Sequence, residues 1–223
     1  MITFKQISQT CFQGKIKMLN PAAIEQIIRE QNIQLLIFDC DGTLMDTLAL
    51  HHAAWNEAFV LHGCKFIDYD EFMQHYAGVS GKDMVSAVIE RFGYDLKVQD
   101  ILDRKKELFL TKYIAQVTPI AKAFAIVQQY STQLKMVVAS GGAHEAVNQM
   151  LKLNNVHHFF TQIITVADVK NGKPAPDLFL KAATDQGIEP SQCLVFEDHH
   201  AGFDAAIAAG MRYIDINQLQ ELK

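Results

Sequence analysis

The stretch LLIFDCDGT, residues 35–43, decides how the rest of the sequence is interpreted. Its consecutive apolar residues predict a strand that is buried on both faces, as the strands of parallel sheets are. Two aspartates, Asp39 and Asp41, follow at the point where this strand ends. Carboxylates so close together repel each other and lose hydration when they are buried, so their presence there indicates a chemical use.

Four further apolar runs repeat this pattern later in the chain. Each is short and nearly continuous, and the five runs are LLIFD (35–39), KMVVAS (135–140), QIITV (162–166), CLVFED (193–198) and YIDI (213–216). Helical patterns separate the later runs, at 144–153, 177–186 and 202–209. Gly187 and Gly210 follow the last two patterns, as glycine often does at helix ends. This alternation predicts an α/β fold with a doubly wound, Rossmann-like parallel sheet.

About 95 residues separate the first predicted strand from the second, far more than one crossover connection needs. The patterns in this interval predict helices at 48–62, 70–76, 82–92 and 98–115. We therefore predict that a helical cap domain, residues 48–117, is inserted into a core made of residues 35–47 and 118–223. Residues 1–34 form an N-terminal extension, in which Asn20-Pro21 predicts a helix over 21–30. Residues 1–19 are compatible with an extra strand or a loose tail.

Composition excludes several classes of protein. The chain has 223 residues, of which 49% are hydrophobic, and this is typical of a globular protein with a substantial core. A net charge of −5 without a Lys/Arg run argues against a nucleic-acid partner. No apolar stretch approaches the roughly 20 residues that span a bilayer, and no secretory signal is evident, so we expect no membrane partner and a cytoplasmic location. The four cysteines form no C-x-x-C pair, which argues against a zinc knuckle or a redox dithiol.

Polar side chains end three of the predicted strands. Asp39 and Asp41 follow LLIF, Ser140 follows MVVA, and Glu197 with Asp198 follows CLVF. Any one of these endings could be a turn or a helix cap. Ligands of open α/β sheets bind beyond the carboxyl ends of the strands, so three such endings together predict a site there.

The ordered set DxDGT, VAS, a lysine in NGKPAPDLF, and VFEDxxxGxxAAxAAG resembles the haloacid dehalogenase-like superfamily, in the branch with a helical cap after the first strand. The resemblance covers about residues 35–217, nearly the whole chain beyond the N-terminal extension. Within that branch the chain is similar to small sugar-phosphate phosphatases of the fructose-1-phosphate and 6-phosphogluconate type. This resemblance implies a Mg²⁺-dependent phosphatase that hydrolyses small sugar phosphates through an aspartyl-phosphate. We expect it to act as a monomer or a weak homodimer. The related β-phosphoglucomutases share most of these residues and provide the alternative function.

The resemblance implies a role for each catalytic residue. Asp39 matches the nucleophile, which divides phosphate ester hydrolysis into two steps. Asp41 matches the general acid and base, and a neighbouring carboxylate helps it to keep its proton. Lys173 would supply a fixed positive charge to the transferring phosphoryl group, and Ser140 would donate its hydroxyl to a phosphoryl oxygen.

The same resemblance implies a Mg²⁺ site. The Asp39 side chain, the Asp41 carbonyl and Asp198 would coordinate the ion, and Glu197 would assist directly or through water. Oxygen ligands beside a phosphate are the set that Mg²⁺ prefers. The alternative is that the acidic pair only caps the helix that begins near Gly202, and the presence of the other motifs argues against it.

Other residues are candidates for phosphate or substrate contacts. Gly42 and Thr43 would present backbone N–H groups to the phosphate, and Gly141 would let the backbone approach it closely. In the predicted cap, His51 and Lys82 are candidates for substrate contact. Gly81 stands where the mutases have an arginine, which argues against a second phosphate site.

Adjacent histidines do not make a zinc motif here. His199-His200 follows the acidic pair, but neighbouring residues on a helix point in different directions. Shaping of the substrate by either of them stays open. His52 lies on the apolar stripe of its helix, so we expect it to be packed. A protein that only senses a phosphorylated metabolite is the non-enzymatic alternative.

Overall fold

The structure is a computed structural model that describes residues 20–76 and 79–220. The chain divides into two compact units. One consists of the residues up to Met45 and from Pro119 onward, and the other spans Asp46–Thr118. The interpretation of residues 1–19 lies outside the described residues.

The first unit is built on a parallel sheet. The strands are β1 (Leu35–Phe38), β2 (Met45–Asp46), β3 (Thr118–Pro119), β4 (Lys135–Ser140), β5 (Gln162–Thr165), β6 (Cys193–Glu197) and β7 (Arg212–Asp215). Five of them form a sheet in the order β5-β4-β1-β6-β7, and every neighbouring pair is parallel. The other two, β2 and β3, form a separate two-stranded sheet. The predicted α/β fold with a doubly wound parallel sheet is confirmed.

Helices accompany both units. In the first unit they are α1 (Pro21–Glu30), α6 (Ala121–Tyr130), α7 (His144–Leu153), α8 (Asp177–Gln186) and α9 (His200–Ala208). In the second they are α2 (Leu48–Leu61), α3 (Tyr69–His75), α4 (Gly81–Phe92) and α5 (Val98–Leu108). No helix within residues 20–76 and 79–220 combines the length and the apolar character that crossing a membrane requires.

Strand β1 lies at the centre of the sheet and sets the position of the site. All four of its residues are fully buried, because β4 and β6 flank it and helices cover both faces. Its last residue, Phe38, is in register with Val138 of β4 and Phe196 of β6. The carboxyl ends of these three strands therefore lie side by side at one edge of the sheet.

The structure departs from the predicted elements in three places. Helix α6 was not predicted, although its buried residues recur at helical spacing: Ala123, Ile126, Val127 and Tyr130. The strands β2 and β3 have two residues each, too few to produce a period in the sequence. The helix predicted over 98–115 ends as an α-helix at Leu108 and continues as a π-helical turn, Phe109–Tyr113, and a 3₁₀ turn. No glycine or proline interrupts this stretch, so side-chain spacing could not reveal the change in hydrogen bonding.

Candidate active site

Three carboxylates and one hydroxyl meet at the carboxyl edge of the sheet. Asp39 follows β1, Ser140 ends β4, and Glu197 ends β6 with Asp198 directly after it; of these, Asp39, Ser140 and Glu197 are buried. The backbone N–H of Asp39 donates to the carbonyl of Phe196 at 3.0 Å, so the pairing of β1 with β6 continues to the first catalytic candidate. The structure therefore brings together the polar residues that end the predicted strands.

Lys173 joins two of these carboxylates. Its Nζ donates to Asp39 Oδ1 at 2.5 Å and to Glu197 Oε1 at 2.6 Å, and its side chain is about as buried as theirs. Burial alone would lower the pKa of Lys173, but Asp39 and Glu197 raise it above its ordinary value. Lys173 therefore carries a fixed positive charge in the protein.

One positive charge does not balance the acidic groups around it. Burial raises the pKa of Asp39 well above its ordinary value; Lys173 opposes this shift, and the neighbouring carboxylates add to it. Burial, together with Glu197, also raises the pKa of Asp198 to about 6, although a hydrogen bond from Thr43 lowers it. A group of three carboxylates with one ammonium group has an excess of negative charge, which a bound cation would offset.

The donor atoms fit a hard divalent cation. Asp39, Glu197 and Asp198 each offer a carboxylate oxygen, and these atoms lie within 4.8 Å of one another. Oxygen donors of this kind suit Mg²⁺ better than softer transition metals. Glu197 is also engaged elsewhere, because its Oε2 accepts the backbone N–H groups of Asp198 at 2.9 Å and His199 at 3.1 Å.

Asp41 and Ser140 approach each other across a glycine. A methyl group placed on Gly142 would lie 3.1 Å from Asp41 Oδ2 and 3.2 Å from Ser140 Oγ. The N–H of Gly142 donates to that same Oγ at 2.9 Å. A methyl group on Gly141, which is predicted to let the backbone approach the phosphate, would meet no atom of the described residues within 4 Å. The sequence GG does not distinguish the two positions.

The loop after Asp41 differs from the prediction. Gly42 has a φ of 81°, and its N–H donates to the carbonyl of Met45 at 2.9 Å. This amide is therefore used inside the loop, contrary to the prediction that it faces the phosphate. The Thr43 side chain is fully buried, and its Oγ1 donates to Asp198 Oδ1 at 2.8 Å. Sequence reasoning considered only the backbone of Thr43 and missed this bond.

The remaining candidates lie in the helical unit, Asp46–Thr118. His51 Nδ1 lies 3.0 Å from the Nζ of Lys105, and the His51 ring stacks on Phe109. Lys82 is exposed in the first turn of α4. The predicted packing of His52 has a specific form, since its Nε2 lies 2.8 Å from the carbonyl of Ile67.

The histidines after the acidic pair have structural contacts. His199 precedes α9 as its N-cap, and its Nδ1 accepts the N–H of Ala201 at 3.3 Å. The ring of His200 packs edge-on against Phe203. Among the described residues, the candidate metal cluster contains no histidine.

Comparisons with known proteins agree with this geometry. The chain matches the haloacid dehalogenase-like hydrolase family over residues 36–216. It is 33% identical over 187 residues to fructose-1-phosphate phosphatase from Escherichia coli (strain K12), covering 82% of this chain and 96% of that protein. It is 25% identical over 204 residues to β-phosphoglucomutase from Bacillus subtilis (strain 168), covering 85% and 86%. The crystal structure of CbbY from Rhodobacter sphaeroides in complex with phosphate matches with a TM-score of 0.71 and 25% identity, covering 86% of this chain and 87% of that one.

Proposed function

Because this chain belongs to the haloacid dehalogenase-like hydrolase family and is a phosphoric monoester hydrolase, we propose that it hydrolyses small sugar phosphates with Mg²⁺ and uses Asp39 as the nucleophile. The observation that carries this proposal is the Asp39 carboxylate, buried at the end of the central strand and held 2.5 Å from Lys173 Nζ. A buried carboxylate is costly unless it is paired, and here the pairing leaves the cluster negative enough to take a cation.

The proposed reaction has two steps. Asp39 attacks the phosphorus atom, a bond forms between its carboxylate oxygen and phosphorus, and the bond from phosphorus to the sugar oxygen breaks. Asp41 gives its proton to that oxygen, which leaves as an alcohol. In the second step Asp41 takes a proton from a water molecule that attacks the aspartyl-phosphate. Inorganic phosphate leaves, and the Asp39 carboxylate is restored.

Other residues of the site act on the phosphoryl group in this proposal. Lys173 places its positive charge where the phosphoryl oxygens gain negative charge. The Ser140 hydroxyl, which accepts the N–H of Gly142, donates its own hydrogen to a phosphoryl oxygen. The lack of a side chain at Gly142 leaves space beside both Ser140 and Asp41.

Asp39 and Asp198 are the side chains that would hold Mg²⁺, and the family resemblance adds the Asp41 carbonyl. When bound, the ion supplies positive charge that draws the phosphate to the nucleophile and offsets the repulsion among the carboxylates. Thr43 orients Asp198 through its hydroxyl. Glu197 connects Lys173 to the backbone beside Asp198.

A mutase function is the second candidate, favoured by the similarity to β-phosphoglucomutase. In a mutase the phosphoryl group passes from Asp39 to a second sugar hydroxyl instead of water. The two functions differ in their products: a hydrolase releases one inorganic phosphate for each sugar phosphate consumed, and a mutase converts one isomer into another without release.

The test is a panel of phosphorylated sugars incubated with Mg²⁺, with phosphate release and sugar isomers measured together. We expect stoichiometric phosphate release from one or more sugar phosphates, and Asp39→Asn should reduce it to background with an unchanged thermal unfolding curve. Asp204→Asn, an exposed aspartate on α9, is the matched control and should retain full activity. Turnover by Asp39→Asn would refute the mechanism, and binding without turnover by the unmodified protein would favour the sensor alternative.

A further inference from the structure

The Glu197 carboxylate is engaged on both of its oxygens. Oε1 accepts from Lys173 Nζ at 2.6 Å, and Oε2 accepts the N–H groups of Asp198 and His199. The residue is 2% exposed, so water cannot replace these partners. Glu197 therefore links the lysine of the site to the backbone that carries Asp198.

The space that holds this carboxylate exists because residue 202 has no side chain. A methyl group placed on Gly202 would lie 1.9 Å from Glu197 Oε1, 2.0 Å from Cδ and 2.6 Å from Cγ. Real contacts between such atoms require more than 3 Å, and Gly202 is itself buried in the first turn of α9. The Glu197 side chain would have to leave its present position to accommodate even an alanine.

Glycine is also a poor choice for the helix in which it stands. Alanine is favoured over glycine inside a helix by about 1 kcal/mol. The φ of Gly202 is not in the left-handed region, so backbone conformation does not require glycine at this position. The contact with Glu197 is the feature that accounts for it.

We propose that Gly202 is a positioning residue of the active site, whose missing side chain lets the Glu197 carboxylate reach and hold Lys173. This inference rests on the proposed function for its kinetic consequence. To clear an added methyl group, Glu197 Oε1 has to move by about 1.4 Å or more. That oxygen accepts from Lys173 Nζ at 2.6 Å, so a shift of this size disrupts the geometry of that hydrogen bond. Lys173 would then be held by Asp39 alone, out of the position in which it serves the phosphoryl group.

The test compares Gly202→Ala, Glu197→Ala and the double variant. We expect Gly202→Ala to lower kcat at least about tenfold, the loss that follows from removing one charge-assisted hydrogen bond. Glu197→Ala removes Cγ, Cδ and Oε1, the three atoms that an added methyl group at residue 202 would meet, so it loses the same bond and leaves no clash with these atoms. The double variant should therefore be no slower than Glu197→Ala, whereas a role of Gly202 in helix packing alone predicts that the two losses multiply.

Gly172→Ala is the control for glycine replacement. Its added methyl group would meet only Val166 Cγ1 at 3.5 Å, an ordinary contact, so kcat should not change. A Gly202→Ala variant as fast as the unmodified enzyme would overturn the inference and leave the proposed function intact.

A crystal structure of Gly202→Ala provides a readout that does not depend on activity. We expect Glu197 Oε1 to lie beyond hydrogen-bond distance of Lys173 Nζ. A structure in which Glu197 keeps both partners while α9 shifts would refute the inference. If the unmodified protein hydrolysed no phosphate ester, the proposed function would fail, and this structural comparison would still decide the role of Gly202.

Discussion

Replacing Thr43 by valine tests whether the buried hydroxyl of Thr43 prepares Asp198 for a cation. Thr43 is fully buried, and its Oγ1 donates to Asp198 Oδ1 at 2.8 Å. Valine has nearly the same shape and keeps the backbone N–H, so the substitution removes the side-chain donor and leaves the loop in place. We predict that Thr43→Val weakens Mg²⁺ binding and, at limiting Mg²⁺, slows turnover.

The magnitude follows from the chemistry of this bond. A hydrogen bond to a charged group contributes about 1.5–3 kcal/mol, or roughly 10- to 150-fold in an equilibrium constant. The Thr43 hydroxyl also lowers the pKa of Asp198, which is about 6 when the bond is present. Without the bond the pKa rises further, so at pH 7 a larger fraction of Asp198 carries a proton that Mg²⁺ has to displace. Both effects weaken binding, and we expect the Mg²⁺ dissociation constant to rise at least about tenfold.

Isothermal calorimetry of Mg²⁺ binding at pH 7 measures this change directly, without a substrate. Thr43→Ser keeps the hydroxyl and should bind Mg²⁺ within about threefold of the unmodified protein, since the donor is retained. Thermal unfolding of both variants separates a local effect from a loss of structure. If Thr43→Val bound Mg²⁺ within about twofold of the unmodified protein, the bond would contribute too little for the role argued above.

Three further predictions follow from the charge of the site. Lys173→Met should abolish turnover yet tighten Mg²⁺ binding, because a positive charge that competes for the same carboxylates is removed; weaker binding in calorimetry would contradict this. The Mg²⁺ dissociation constant should rise about tenfold or more for each pH unit below about 6, because Asp198 must lose its proton to bind; a constant value from pH 7 to pH 5 would refute it. In EDTA, the contribution of Asp198 to the free energy of unfolding should fall as pH rises from about 4 to 6, because the folded state binds the Asp198 proton more tightly than the unfolded state. Denaturant titrations across this pH range measure that free energy, and the trend should disappear in Asp198→Asn.

The sequence was sufficient to predict the sheet because burial leaves a direct trace in composition. A strand covered on both faces needs apolar side chains at every position, and the runs at β1, β4 and β6 meet that requirement. The same reasoning does not detect β2 and β3, which are too short to carry a pattern. Helix α6 does carry a helical pattern, with buried residues at 123, 126, 127 and 130.

The partners of individual polar atoms were harder to predict than the residues that carry them. Thr43 and Asp198 are 155 positions apart, and their hydrogen bond depends on the register of β1 against β6. Residues 141 and 142 are both glycine, so the sequence does not tell which of them lies against Ser140 and Asp41. The conformation of the turn after β4 places Gly142 there. Hydrophobic periodicity indicates which side chains are buried, but differences of a few tenths of an ångström in the donor–acceptor distance decide whether a hydrogen bond forms.

Burial both hinders and assists Asp39 in its proposed role as the nucleophile. A nucleophilic carboxylate must be ionised, yet burial and the neighbouring carboxylates raise the pKa of Asp39 well above its ordinary value. The Lys173 ammonium group opposes this rise in pKa. Its Nζ lies 2.5 Å from Asp39 Oδ1 and also donates a hydrogen bond to Glu197. In water the same charges would be screened and would neither hinder ionisation nor assist phosphoryl transfer. The ionisation of Asp39 therefore depends on Lys173, which is 134 positions away in the sequence, and Glu197 holds the other side of that lysine from the space that Gly202 leaves for it.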